Sequence, residues 1–215
     1  MNDVETMARQ ETHRMARLVA EARLPTRYGD FRVVAFDADD GKEYGAVVKG
    51  DVAGREDVPV RLHSECFTGD VMGSVKCDCR DQLEAALEYL GQAECGAVIY
   101  LRQEGRGIGL ANKIRAYALQ DAGLDTVEAN LALGFRDDER RYDVAADILA
   151  ELDVRSVKVL TNNPNKLAGL TRHGIRVTGR IPLQVDTRPQ NVHYLSTKAS
   201  KSGHMLIDLP GLKKP

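Results

Sequence analysis

The amino-acid sequence predicts a single α/β domain with a mixed sheet, a strand-rich N-terminal part and flanking helices. Short apolar runs alternate with amphipathic helical segments through the middle of the chain, which is the pattern of an α/β sheet. The earlier part is richer in strand-like runs and adds antiparallel character. The 215 residues suffice for one compact core, and no linker-like stretch divides them.

The N-terminal part begins with residues 1–23, for which the sequence predicts a frayed or amphipathic helix. Strands are predicted at 31–36 and 45–49, because apolar and β-branched residues there flank a turn-rich segment. A further strand is predicted at 58–63, and it leads directly into a cluster of cysteines.

Helical and extended segments then alternate. The leucines and alanines of residues 80–92 fall on one helical face, Gly123 is suited to stop a helix, and Pro164 is suited to a first helical position. The predicted order is helix 80–92, strand 96–102, glycine-rich loop 104–110, helix 111–123, helix 142–153, strand 156–161, a helix after Pro164 and strand 175–183. From about Gln184 onwards the sequence has little periodic signal.

The charge balance limits the classes of partner. The chain has 30 Lys and Arg against 32 Asp and Glu, a net charge of -2, which excludes a strongly basic nucleic-acid-binding domain. No apolar run approaches the ~20 residues needed to span a bilayer, and the polar first twenty residues lack the core of a secretory signal. We therefore expect a cytoplasmic protein with neither a nucleic-acid nor a membrane partner.

Three of the four cysteines, Cys66, Cys77 and Cys79, fall within fourteen residues. Three protein ligands are the number that a catalytic zinc site uses, with water in the fourth position. His63 lies three residues before Cys66 and would complete a closed structural site. Buried cysteines without a metal are the third interpretation. Cys95 has no cysteine nearby in the sequence, and we expect it to be a structural thiol.

Three polar segments are candidates for contact with an anion. Residues 103–109, QEGRGIG, open a helix after a strand, where glycines let backbone N–H groups approach a phosphate; a tight structural turn explains the same pattern. Lys166 stands at the start of another helix, where it either reaches a phosphate or is simply solvated. The charge run 136–141 is typical of a solvated helix start, although Phe135 and Tyr142 beside it suggest that part of it faces a site.

Several separated blocks together resemble the GTP cyclohydrolase II family, which acts at the entry to riboflavin biosynthesis. The blocks are LPTRYGDF (24–31), RLHSECFTGDVMGSVKCDCRDQLEAAL (61–87), RQEGRGIGLANKIRAYALQDAGLDTVEAN (102–130), LGFRDDERRY (133–142) and LTNNPNKL (160–167). The resemblance implies a catalytic domain over residues 24–200, preceded by an N-terminal extension at 1–23 and followed by a C-terminal tail at 201–215.

The resemblance also implies roles for individual residues. Cys66, Cys77 and Cys79 stand at the family's zinc-ligand positions. Asp138 matches a proton acceptor, Arg140 a nucleophile or stabiliser at the α-phosphate, and Tyr117 a tyrosine near the metal-bound base. The family's GTP-binding positions are occupied by Arg61, Leu62, His63, Ser64, Glu65, Gln82, Glu104, Gly105, Arg106, Thr126, Thr161 and Lys166.

The implied reaction converts GTP and water to formate, pyrophosphate and 2,5-diamino-6-(5-phospho-ribosylamino)pyrimidin-4(3H)-one. It implies one Zn²⁺ per subunit, held by three cysteines and a water, Mg²⁺ with the GTP phosphates, and a homodimer. We expect Glu104, or Glu65 as the alternative, to accept hydrogen bonds from the guanine edge. Two other functions remain open: a variant that retains the formyl group, and a zinc- and nucleotide-binding protein without turnover.

Overall fold

The computed structural model describes residues 15–206, which form one seven-stranded mixed sheet with helices on its faces. In spatial order the strands run β1-β2-β3-β5-β4-β6-β7. Their bounds are β1 Ala16–Thr26, β2 Gly29–Ala38, β3 Glu43–Lys49, β4 Val58–Ser64, β5 Gly96–Leu101, β6 Ser156–Leu160 and β7 Arg176–Ile181. The predicted α/β class with a mixed sheet is confirmed.

The direction of the strands divides the sheet into two parts. The N-terminal strands β1, β2 and β3 pair antiparallel, and β3 pairs antiparallel with β5. The strands β5, β4, β6 and β7 are parallel to one another. The carboxyl ends of four strands therefore meet at one edge, which is where open α/β sheets bind their ligands.

Six α-helices connect and flank these strands within residues 15–206. They are α1 Cys79–Gln92, α2 Leu110–Asp121, α3 Thr126–Ala132, α4 Asp143–Glu151, α5 Pro164–Arg172 and α6 Val192–Lys201. A short π-helical turn spans Phe67–Val71, and a 3-10 turn spans Glu104–Gly107. Over this part of the chain, every helix is too short or too polar to cross a membrane.

The predicted helix at the N-terminus is wrong for the residues that the structure describes. Ala16–Thr26 form β1, which pairs along nearly its whole length with β2. Most of β1 is exposed because it is an edge strand, so its sequence carries no alternation of apolar and polar residues. The part of the prediction covering residues 1–14 lies outside the described residues.

Two helices were not predicted. α3 begins at Asp125, whose side chain accepts hydrogen bonds from the backbone N–H groups of Val127 and Glu128, while Glu128 caps Asp125 in return. This Asp-x-x-Glu capping box is a readable signal of a helix start. α6 lies in the segment after Gln184 that showed little periodicity.

Apolar side chains cover both faces of the sheet. Successive residues of a strand point to opposite faces. On β5, Ile99 packs in the larger cluster with Ile148 and Leu149 of α4, whereas Val98 packs with Leu90 of α1. The two layers of helices hold the strands in place, so the loops at their carboxyl ends have fixed starting points.

Close packing of α1 on the turn between β1 and β2 requires glycine at position 91. A Cβ on Gly91 would lie 1.9 Å from the backbone oxygen of Tyr28. Because backbone cannot move aside as a flexible side chain can, we expect Gly91→Ala to lower the free energy of unfolding by about 2 kcal/mol in urea denaturation. Gly45→Ala in β3 is the matched control, since the described chain places no heavy atom within 4 Å of that Cβ. Equal stabilities of the two variants would contradict this packing.

Candidate active site

A cavity opens at the carboxyl ends of β4, β5 and β6, where side chains from all three strand ends and from several helices line it. Of the residues selected from the sequence, those that line it are Arg61, His63, Ser64, Glu65, Cys66, Cys77, Cys79, Gln82, Glu104, Gly105, Arg106, Tyr117, Thr126, Arg140, Thr161 and Lys166. Leu62 and Asp138 are not part of the wall: Leu62 is a core residue of β4, and Asp138 holds Arg140.

The three thiols form one compact group. The Sγ atoms of Cys66, Cys77 and Cys79 all lie within 4.8 Å of one another, and those of Cys66 and Cys77 are 3.7 Å apart. Two sulfurs bound tetrahedrally to one Zn²⁺ at ~2.3 Å are ~3.8 Å apart, so the spacing fits that ion. A Cβ at Gly69 would lie 2.8 Å from the Cys77 sulfur, which reserves this place for glycine.

Asp70 fixes the loop that carries the thiols. Its carboxylate accepts hydrogen bonds from the backbone N–H of Cys66 at 3.0 Å and from the hydroxyl of Tyr100 at 2.9 Å. It also lies 3.0 Å from Nε2 of His63. His63 therefore points to Asp70 and is not a member of the metal-binding group found among residues 15–206, which leaves three protein ligands. Burial lowers the pKa of the His63 imidazole.

Lys113 of α2 is a cation beside the thiols. Its ammonium donates to Cys66 Sγ at 3.1 Å and to Glu104 Oε1 at 2.8 Å. Burial disfavours this charge, but the hydrogen bond to Glu104 and the charge of Cys66 outweigh it and raise the pKa of Lys113 above its usual value. Hydrogen bonds with the other two thiols and the charge of Lys113 hold the pKa of Cys66 well below its usual range.

Glu104 connects the thiol group to the glycine-rich loop. Its Oε2 accepts from the backbone N–H of Phe67 at 2.6 Å, and its Oε1 accepts from Gly105 N at 2.7 Å as well as from Lys113. Both carboxylate oxygens thus have partners within the protein. Glu65, the alternative contact for guanine, lines the cavity with one oxygen 3.3 Å from Nε of Arg102.

Tyr117 lies one helical turn beyond Lys113 on the same face of α2. Its hydroxyl is 3.4 Å from Thr68 Oγ1, which in turn is 3.8 Å from Cys66 Sγ. Burial raises the pKa of Tyr117 to about 12. The hydroxyl therefore stays protonated at neutral pH and can donate a hydrogen bond next to the metal-binding group.

The glycine-rich loop makes a tight left-handed turn before α2. Gly105 and Arg106 have φ values of 62° and 59°. A left-handed conformation is uncommon for a residue other than glycine and is a feature of functional loops. The guanidinium of Arg106 pairs with Asp137, while its buried Nη2 has no partner in the described chain and lines the cavity.

Arg61 and Lys166 bring positive charge into the cavity without a carboxylate partner among residues 15–206. The ammonium of Lys166 donates to the backbone oxygen of Leu62 at 2.6 Å. Burial, together with the charges of Arg61 and Arg140, holds the pKa of Lys166 well below its usual value. Arg61 donates to Leu160 O at 3.1 Å, and burial lowers its pKa to about 10.

Arg140 and Asp138 form a two-bond ion pair. The Nε and Nη2 atoms of Arg140 lie 2.8 and 2.6 Å from the two carboxylate oxygens of Asp138. Burial disfavours the Arg140 charge, but its interactions with Tyr142 and Asp138 outweigh this and raise the pKa of Arg140 above its usual value. The hydrogen bond to Arg140 also keeps the pKa of Asp138 below its usual value despite burial. Both side chains are therefore charged at neutral pH.

The remaining residues predicted to contact the nucleotide lie at the strand ends and on α1 and α3. Ser64 is the last residue of β4 and accepts a hydrogen bond from Gln103 at 3.0 Å, while Thr161 follows β6 and accepts one from the backbone N–H of Asn163 at 3.0 Å. Thr126 is the first residue of α3. Gln82 of α1 accepts from Arg61 at 2.5 Å.

Sequence reasoning missed several polar residues of the site. They are Asp70, Asp78, Lys113, Tyr194, Lys198 and His204. Lys113 had a usable signal, because it precedes Tyr117 by four residues on a predicted helix. Tyr194, Lys198 and His204 had none, because they belong to the segment where no helix was predicted.

Comparison with known proteins identifies the family. The sequence model of the GTP cyclohydrolase II family matches residues 16–182. A GTP cyclohydrolase-2 of Picrophilus torridus is 52% identical over 191 residues, which cover 89% of this chain and 100% of that protein. A GTP cyclohydrolase-2 of Histophilus somni is 55% identical, with 88% of each chain covered.

A longer relative carries the same region within a larger protein. The riboflavin biosynthesis protein RibBA of Endomicrobium trichonymphae is 51% identical over 92% of this chain, which corresponds to 49% of its own length. Together with the match over residues 16–182, these similarities show that the chain belongs to the GTP cyclohydrolase II family.

Proposed function

We propose that the cavity carries out the complete reaction of this family: hydrolysis of GTP at guanine C8 with release of formate and pyrophosphate. The chain is a GTP cyclohydrolase II, a hydrolase of the first step of riboflavin biosynthesis. The product is 2,5-diamino-6-(5-phospho-ribosylamino)pyrimidin-4(3H)-one. The observation that carries this proposal is that one cavity contains both the three-thiol group and a cation cluster, which consists of Arg61, Arg106, Arg140 and Lys166.

The thiol group fits one Zn²⁺ with three cysteine ligands and a water in the fourth position. When bound, zinc supplies a Lewis acid that makes water nucleophilic at neutral pH. Lys113 offsets the negative charge of the thiolates, and Glu104 holds Lys113 in place. The Tyr117 hydroxyl, protonated at neutral pH, donates a hydrogen bond to the formyl oxygen, which gains negative charge when water attacks the formamide carbon in the second hydrolysis.

The cation cluster receives the triphosphate. Arg140 stabilises charge at the α-phosphate, and Asp138 holds the Arg140 guanidinium in orientation. Lys166, Arg61 and Arg106 complete the electrostatic site. Mg²⁺, which the resemblance implies together with the GTP phosphates, would add positive charge on this side of the cavity and so would favour departure of pyrophosphate.

The base and ribose contact the remaining residues of the predicted nucleotide set. Because both oxygens of Glu104 already have protein partners, Glu65 is the acceptor that we propose for the guanine edge. The other members of this set are Leu62, through its backbone, His63, Ser64, Gln82, Gly105, Thr126 and Thr161.

The organisation of the protein is proposed as follows. Residues 24–200 are the catalytic domain, between an N-terminal extension at 1–23 and a C-terminal tail at 201–215. The protein acts in the cytoplasm as a homodimer. The exposed apolar side chains of Leu18 and Val19 on the edge strand β1 support self-association, which light scattering after gel filtration measures directly.

The decisive test of function is product analysis after the zinc- and magnesium-loaded protein is incubated with GTP. We expect formate and pyrophosphate in equal amounts, with the pyrimidine product identified by mass spectrometry. Chelation of zinc should abolish turnover while the far-UV circular dichroism stays unchanged, because the metal is catalytic. Pyrophosphate with a retained formyl group would indicate the variant reaction, and bound but intact GTP would indicate a protein without turnover.

Replacement of the Tyr117 hydroxyl should separate the two hydrolytic events. In Tyr117→Phe, we expect formate release to slow by about 100-fold or more, because a positioned proton donor contributes on that scale. The ratio of formate to pyrophosphate should fall below one as the formyl compound accumulates. Tyr89→Phe is the matched control, since Tyr89 is exposed on α1. A ratio of one in Tyr117→Phe would remove Tyr117 from the second hydrolysis.

The buried ammonium of Lys166 predicts that activity declines as the pH rises. Its pKa in the free protein is well below the usual lysine value, so the cation is lost as pH rises through that lowered pKa. Affinity for the triphosphate falls with it, and kcat/KM reports this free-enzyme titration. Lys166→Arg should move the decline to higher pH because arginine stays charged, whereas Lys158→Arg on the exposed side of β6 should leave it unchanged. An unshifted decline in Lys166→Arg would contradict the assignment.

A further inference from the structure

The C-terminal segment, defined as residues 188–206, crosses the cavity beyond the region matched by the family model. It contains α6, which buries Leu195 against the domain. The polar contacts of this segment with the surrounding elements include those of Arg188 with Asp81, Lys201 with Asp125, Ser202 with Asp137 and the backbone N–H of Met205 with Asn162 O. These partners belong to α1, to the loops around α3 and to the loop after β6, so the segment is attached on several sides of the site.

Lys198 is the residue of this segment that reaches deepest into the site. Its ammonium lies 2.8 Å from Asp78 Oδ1 and 4.3 Å from the centroid of the Tyr194 ring. The two side chains of the Lys198–Asp78 pair are only 11% and 3% exposed. Asp78 stands between Cys77 and Cys79, so the pair joins α6 to the metal-binding turn itself.

Asp78 is connected to the cation cluster through hydrogen bonds with Gln82. Its second carboxylate oxygen accepts a hydrogen bond from Gln82 Nε2, and its backbone oxygen accepts one from Gln82 N at 3.0 Å. Gln82 Oε1 accepts from Arg61 at 2.5 Å. One continuous chain of hydrogen bonds therefore runs from Lys198 through the metal-binding turn to a cation of the proposed triphosphate site.

We propose that Lys198 is a positioning residue of the active site, which orients Asp78 and thereby the Cys77–Cys79 turn and the Arg61 guanidinium. The proposal deepens the function proposed above and rests on it. Lys198 acts through Asp78 and not on GTP directly. The C-terminal segment is on this basis a part of the active site and not only an appendage to the domain.

A purely structural ion pair would also be buried and costly to break, because removal of one partner leaves an uncompensated charge. The two roles differ in what they affect. Groups that orient metal ligands from the next layer change metal affinity or activity by about 10- to 100-fold when they are replaced. A role restricted to stability changes the unfolding midpoint and leaves the zinc release rate and the kinetics of the folded enzyme unchanged.

The test measures release of zinc from the folded, zinc-loaded chain to a chromogenic chelator, together with kcat and KM for GTP. We expect Lys198→Met to release zinc about 10-fold faster than the wild type and to raise KM, because both the thiol turn and Arg61 lose their orientation. Lys201→Met is the matched control on the same helix, since the Lys201 ammonium pairs with Asp125 and Glu128 at the start of α3 and contacts neither Asp78 nor Gln82. It should change neither quantity by more than about 2-fold.

A double-mutant cycle with Asp78→Asn tests the route of action. If Lys198 acts through Asp78, the double variant should release zinc no faster than the worse single variant, whereas additive effects would overturn the proposal. Lys198→Gln, which keeps one donor, provides the measurement if Lys198→Met does not fold. Wild-type zinc release and KM in a folded Lys198 variant would also overturn the proposal. Absence of GTP turnover in the wild type would refute the proposed function instead, and the zinc release rates would still decide the role of Lys198.

Discussion

The contact of the Lys113 ammonium with both Cys66 and Glu104 is the interaction on which the thiol side of the cavity depends. Three thiolates around one dication leave a net negative charge, which is expensive in a buried place without a nearby cation. Lys113 supplies that cation, and Glu104 in turn fixes the backbone of Phe67 at the start of the thiol-bearing loop. The opposite side of the cavity has the reverse imbalance, because Arg61 and Lys166 are buried without a carboxylate among the described residues. A polyanionic ligand, as in the proposed function, would balance the positive charge of that side, whereas a metal cation would balance the thiolates of the first.

The parallel part of the sheet brings these two sides together. The thiol-bearing loop follows β4, and the glycine-rich loop follows β5. Thr161 and then α5, which carries Lys166 in its first turn, follow β6. These three strands are neighbours and parallel, so segments separated by up to 100 residues in sequence leave the sheet at the same edge. The antiparallel strands β1 to β3 extend the sheet but contribute no residue to the cavity wall.

Motif spacing made the centre of the site predictable, whereas its supporting contacts depend on tertiary structure. The three cysteines and the glycine-rich loop are local patterns that mark a candidate site, and the resemblance to the family chose among the interpretations that their spacing left open. Asp70 shows the contrary case: nothing in the sequence connects it with Tyr100 or His63, and only the fold brings them together. The strand β1 was not predicted for a related reason. An exposed edge strand has no buried face, so its sequence does not alternate between apolar and polar residues, and only its pairing with β2 makes it a strand. Lys198 is the extreme case, as it meets Asp78 across 120 positions.

The Asp138–Arg140 pair favours electrostatic stabilisation over a covalent role for Arg140. A nucleophilic guanidinium must first lose a proton, which is costly for any arginine. Here the cost is higher still, because two hydrogen bonds to an ionised Asp138 raise the pKa of Arg140 further. For Asp138 to take up that proton, its own pKa would have to rise, whereas the same contact lowers it. The Asp138–Arg140 contact thus keeps both side chains charged, which opposes the proton transfer that a covalent role requires. In the role proposed for it, the fixed guanidinium would stabilise the charge that develops on the α-phosphate as pyrophosphate leaves.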